Sequence, residues 1–156
     1  MTRPPGPWGG CKFPQPADNG RMVRITGEYQ GGLHCSAVHA PSGNALATDA
    51  PRDNQGRGEA FSPTDLVATG FATCVATTMA IVARHHGADI AGIRFEVDKE
   101  MSADAPRRIS RLSARFWLPA SARQVPAGLL EKAANTCPVH QSLAPSVERA
   151  IELIWA

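Results

Sequence analysis

The sequence predicts an α+β domain with the element order βββ-α-ββ-α-β. Three observations predict it. Short segments that alternate apolar and polar residues lie on both sides of one long uncharged stretch, Leu66 to Ala83. That stretch has helix start and stop signals at its ends. A second helical period stops near Pro138, and one more alternating segment follows it. No internal repeat or linker interrupts the pattern, so one domain over residues 21–156 is expected behind a tail, residues 1–20.

The tail, MTRPPGPWGGCKFPQPADNG, is rich in Pro and Gly and lacks an apolar signal core. It reads as a flexible tail rather than an export signal, and it contains Cys11. Strands are then expected in RMVRITGEY, LHCSAVHA and ALAT, with turns at Gly31-Gly32 and at Pro41 to Asn44. Together they predict a meander with one buried face. The polar loop DAPRDNQGRGEA, residues 49–60, leads into the long stretch.

The stretch opens with Ser62 as a cap, Pro63 at the first helical position, and Asp65 closing a capping box. Arg84, His85 and His86 put positive charge at its carboxyl end, and Gly87 stops it. Its length meets the bare criterion for a membrane span. Its content argues otherwise, because Thr69, Gly70, Thr73, Thr77 and Thr78 leave it only mildly hydrophobic. A helix apolar on all faces in a soluble chain is a core helix wrapped by other elements. No membrane partner is expected.

Downstream, DIAGIRFEVDKEM and RISRLSARFWLP read as two strands joined hairpin-fashion by SADAPR. AGLLEKAANTC has helical period. VERAIELIW alternates as a closing strand does, and its length also admits a helix.

Composition narrows the function. The chain has 156 residues, 43% hydrophobic and 19% charged, an ordinary globular balance with room for a core. A net charge of +2 without any basic run gives no footprint for nucleic acid or an anionic membrane. The four cysteines, Cys11, Cys35, Cys74 and Cys137, form neither CxxC pairs nor a dense disulfide framework. This usage fits a reducing compartment such as the cytoplasm, where an isolated thiol either packs in a core or does chemistry.

Cys74 lies mid-helix, where the helix dipole lends little, and an isolated thiol in an apolar setting stays inert. It becomes a nucleophile only beside a cation, and the preceding loop offers Arg52 and Arg57. Cys137 precedes Pro138, which cannot continue one helix but can open the next, PVHQSL. That placement puts Cys137 at a helix amino end, which favours thiolate, with His140 one turn on as an acid or base. For each cysteine, simple packing is the alternative.

Two cysteines on two helices suggest joint chemistry. A thiolate that attacks a peroxide O–O bond becomes a sulfenic acid, and a second thiol condenses with it to a disulfide. Such a cycle needs no metal or organic cofactor. The competing constellation is a metal site assembled from His34, Cys35, His39, His85, His86, Cys137 and His140, but these lack zinc-finger or HExxH spacing.

FSPTDLVATGFATC followed at a distance by TCPVHQSL, with DKEM and PRRI between the helices, resembles the OsmC/Ohr family of osmotically inducible and organic hydroperoxide resistance proteins. The resemblance runs from about Met22 to the end, in the family's OsmC-like branch. It implies antiparallel sheets wrapped around two central helices in an intertwined homodimer, with active sites at the subunit interface. It implies a thiol-dependent peroxidase in which Cys74 attacks the hydroperoxide and Cys137 resolves it as a disulfide. A small or lipoyl-type dithiol would then reduce that disulfide. The family's arginine beside the first sulfur would be Arg52 or Arg57. The chain departs from the family at Thr64, which stands where the best-characterised members carry the glutamate that orients this arginine. Glu59 is the available substitute. The departure leaves a second expectation open, a slowly turning redox-responsive or apolar-ligand-binding module on the same scaffold.

Overall fold

The computed structural model describes residues 22–156, so the expected tail and Cys11 lie outside the described residues. The chain divides into two compact units that meet between Ala47 and Thr48.

In the first unit, β1 (Ile25–Gly31) and β2 (His34–His39) pair antiparallel, from Ile25 opposite His39 to Gly31 opposite His34. The Gly31-Gly32 turn forms where expected. Both glycines have positive φ (86° and 59°), a region that costs glycine nothing. The Pro41–Asn44 turn is also present, with His39 N–H donating to the Asn44 carbonyl at 2.8 Å. β3 (Ala45–Asp49) completes the sheet in the order β1-β2-β3 and straddles the boundary between units. The expected buried face does not form along β1, whose first six residues are all exposed. Among its described residues the unit has no second layer to cover a face.

The second unit holds the core. α1 (Pro63–His85) begins as its sequence requires. The Ser62 side chain accepts from Asp65 N–H at 3.1 Å, and Asp65 accepts from Ser62 N–H at 2.8 Å. Ala68, Phe71, Ala72, Val75, Met79 and Ala83 recur at helical spacing and are all buried. They meet the even-numbered residues of β5 (Ile109–Leu118), namely Leu112, Ala114, Phe116 and Leu118. β4 (Arg94–Met101) pairs antiparallel with β5, as the hairpin reading expects.

The last strand, β6 (Glu148–Trp155), confirms strand over helix but runs parallel to β5. An all-antiparallel sheet is therefore corrected to a mixed one, in the order β4-β5-β6. A parallel neighbour needs a helical crossover. α2 (Leu129–Asn135) and α3 (Pro138–Ser142) supply it where the expected element order counts one helix, and the break falls at Cys137-Pro138, where Pro138 was expected to open a new turn. The outer face of the sheet is charged. Arg115 lies 3.4 Å from both Glu96 and Asp98, and Arg111 reaches Glu148 at 3.4 Å.

α1 is long and apolar enough to cross a membrane, a test that core helices also pass. Contrary to the expectation of a helix wrapped by other elements, it is not covered on all sides. Val67 and Ile81 remain 38% and 50% exposed, and Thr73 and Thr77 lie between them on the open side. The reason is local chemistry. Thr73 and Thr77 each donate a hydroxyl to the carbonyl four residues back at 2.8 Å, so this side is apolar in effect and no strand of the unit covers it.

Candidate active site

The two helical cysteines come together. α1 carries Cys74, half-buried near its midpoint, and Thr78 bonds its carbonyl at 2.8 Å. α3 packs against α1 and carries Cys137, fully buried, at its amino cap. Neither cysteine is in a disulfide, and Cys74 lies close enough to Cys137 to hydrogen-bond with it and raise its pKa.

Pro138 starts α3 as expected, and His140 N–H donates to the Cys137 sulfur at 3.3 Å. The expected thiolate at Cys137 is nevertheless overturned. Burial pushes this thiol above its ordinary range. The His140 N–H pulls the other way, and the neighbouring Cys74 adds to the rise. A helix of five residues has too small a dipole to outweigh desolvation. Cys137 is held as a protonated thiol.

His140 packs its ring edge-on against Phe71, centroids 5.9 Å apart, one turn before Cys74 on α1. Its imidazole is pushed below the ordinary histidine range. Burial is the main cause and the Arg149 charge the second, with the Ala134 carbonyl pulling the opposite way. Nδ1 of this ring is buried without a hydrogen-bond partner among the described residues. Arg149 Nη1 donates to the His140 carbonyl at 3.3 Å.

Among the described residues, Arg52, Arg57 and Glu59 make their bonds within the loop and to β3. Arg52 Nε donates to the Arg57 carbonyl at 3.1 Å, and Arg57 faces Glu59 at 4.0 Å with both side chains exposed. Glu59 N–H donates to the buried Asp49 carboxylate at 3.0 Å, which folds the loop back on β3. Among the described residues, neither Arg52 nor Arg57 bonds or pairs with a cysteine. Cys35 lies on β2, in the other unit. No three His, Cys, Asp or Glu side chains converge as a metal cage among the described residues.

Two cations were missed by sequence reasoning, and strand parity could have found both. Lys99 and Arg149 sit opposite the same residue, Leu112, on the face of the sheet that packs on the helices. Lys99 reaches the amino end of α1, where Nζ donates to Asp65 at 2.6 Å and to Thr64 Oγ1 at 2.8 Å. Thr64 is thereby engaged by a lysine within its own chain.

Comparison with known proteins decides the family. The OsmC family model, described as OsmC-like protein, matches residues 56–152. The chain belongs to the OsmC-like family. A solved Psychrobacter arcticus structure, described as a proposed osmotic stress induced and detoxification response protein, is 39% identical. That match has a TM-score of 0.74 and covers 92% of this chain and 99% of that one. A Legionella pneumophila organic hydroperoxide resistance protein OsmC (17% identity, TM-score 0.68, 85% and 96% covered) shares the fold. So does the organic hydroperoxide resistance protein OhrB of Bacillus subtilis (19%, TM-score 0.61, 85% and 97% covered). Comparison with curated proteins gave no match. The α+β architecture with two sheets and helices is that of OsmC-like structures.

Proposed function

We propose that this OsmC-like protein is a two-cysteine peroxidase that reduces organic hydroperoxides. The observation that carries the reading is the meeting of the Cys74 and Cys137 thiols on α1 and α3. In the proposed cycle the Cys74 thiolate attacks the terminal oxygen of ROOH, the O–O bond breaks, and Cys74 sulfenic acid and an alkoxide form. The alkoxide takes a proton and leaves as the alcohol. The Cys137 thiol then attacks the sulfenic sulfur, a disulfide forms, and water departs. A small or lipoyl-type dithiol reduces the disulfide by exchange.

The protonated state of Cys137 suits the second role, because a thiol that is not ionised does not compete for the peroxide. His140 would carry the proton that Cys137 loses, since its unpartnered Nδ1 is a base without a donor. Arg52 or Arg57 would serve Cys74 when a second copy brings its loop to the open side of α1. Glu59 would orient that guanidinium. The same open side, between Val67 and Ile81, would be covered in a homodimer. A reducing cytoplasm is the setting in which such a cycle turns over.

One observation favours a second reading. Thr64 holds Lys99 rather than an arginine, which suits a redox-responsive or apolar-ligand-binding module with slow turnover.

Cumene hydroperoxide consumption with a dithiol donor, followed with mass spectrometry, separates the two. The peroxidase reading expects rapid turnover, an intrachain Cys74–Cys137 crosslink, and none of either in Cys74→Ser. Oxidation to the crosslink without cycling supports the second reading. Equal consumption by wild type and Cys74→Ser ends the peroxidase reading.

A further inference from the structure

A separate cavity of about 260 Å³ lies at the carboxyl ends of β5 and β6, lined by Gly92, Arg94, Trp117, Leu118, Ile154 and Trp155, among others. It is not part of the cysteine site. Arg149 marks that site on β6, and Trp155 lies six positions further along the strand, about 20 Å at roughly 3.3 Å per residue.

Its walls have a consistent chemistry. The Arg94 guanidinium lies over the Trp117 ring, 5.9 Å from the centroid, within cation–π range. β4–β5 pairing puts Arg94 opposite Trp117, and β5–β6 pairing puts Ile154 beside Trp117 and Trp155 beside Leu118. The side chains on this face are therefore the Arg94 guanidinium, the Trp117 indole and Ile154, while Leu118 and Trp155 turn to the core on the other face. Among the described residues no acidic side chain lines the cavity. The neighbouring carboxylates Glu96 and Asp98 are engaged by Arg115 rather than Arg94. The Ala156 carbonyl at the rim already accepts from Arg123, at 2.9 Å from Nε and 2.6 Å from Nη2. Among the described residues the Arg94 side chain has neither an ion pair nor a hydrogen bond, and the Trp117 indole N–H has no acceptor. The side chains offer hydrogen-bond donors and aromatic faces, but no acceptor.

We propose that this cavity is a binding site for a small, flat aromatic carboxylate. The carboxylate takes the fork of Arg94, which matches it with two parallel N–H donors, and the ring lies against Trp117 and Ile154. A cation is repelled by Arg94. A neutral ring of the same size gains the Trp117 face but leaves the guanidinium unpaired.

Benzoate titrated into the full chain tests the site, by calorimetry and by tryptophan fluorescence, with benzyl alcohol as the neutral probe. Saturable benzoate binding is expected, with benzyl alcohol weaker by about tenfold or more, as for a lost charge-assisted hydrogen bond. Arg94→Gln should weaken benzoate by a similar factor and leave benzyl alcohol unchanged. The residue is exposed, so the variant should melt as wild type does. No saturable benzoate binding, equal affinity for the two probes, or unchanged affinity in Arg94→Gln would overturn the proposal. None of these results bears on the cysteine chemistry.

Discussion

The amino end of α1 and its midpoint differ in how fully their polar groups are met. At the amino end Ser62 and Asp65 exchange two hydrogen bonds, and Lys99 adds bonds to Thr64 and Asp65. Burial alone would raise the Asp65 carboxyl, but these donors outweigh it and hold the group below its ordinary value. At the midpoint Cys74, Cys137 and His140 are gathered among apolar side chains with few partners, and the His140 Nδ1 has none among the described residues. Saturated polar groups hold a helix in place. Unsaturated ones keep reactivity available, because a buried donor or acceptor without a partner gains most from a new bond.

The largest effect expected on this contrast is at the midpoint. Cys74→Ser should bring hydroperoxide consumption to background, whereas Cys137→Ser should allow one turnover and leave a sulfenate that a dimedone probe captures. A Cys74→Ser protein with wild-type activity would break the contrast, since the unsaturated centre would then do no chemistry.

Next is Phe71→Ala, which removes a fully buried ring and the edge contact with His140. It should cost about 3–5 kcal/mol in denaturant unfolding. Lys99→Met tests the saturated end and should cost about 1–2 kcal/mol, the range for a charge-assisted hydrogen bond discounted for the 41% exposure of the Asp65 side chain. Its rate of thiol alkylation should match wild type, which would separate the cap from the sulfur centre.

The smallest effect is in pH. His140 is depressed in the folded state, so the unfolded chain binds the extra proton first. Its contribution to stability is therefore complete above the ordinary histidine value and is lost as pH falls below it toward the folded value. Arg149→Met removes one cause of the depression, so the ring resonances of His140 should titrate at higher pH in NMR.

Much of the polar end was legible because it is local. Ser62, Pro63 and Asp65 are within four residues, and capping depends on backbone groups the same residues supply. Pro138 announced the helix break that leaves Cys137 at the start of α3, for the same reason: a missing N–H acts on its own neighbourhood. Lys99 and Arg149 escaped notice because a charged residue in an alternating strand is ordinarily read as solvated. The desolvated Cys137 thiol escaped notice because burial depends on what packs above it.

By itself the sequence determined the elements, the cap of α1, the position of the break before α3, and the two cysteines as the candidates for chemistry. These follow from backbone sterics, hydrogen-bond donors and side-chain periodicity, which act over a few residues. Only the tertiary structure decided that β6 runs parallel to β5, that the β1 residues and one side of α1 stay uncovered, and that two sulfurs 63 positions apart (137 less 74) share one centre. Those outcomes depend on which faces meet across the fold, and contacts between distant segments are set by the packing of the whole unit.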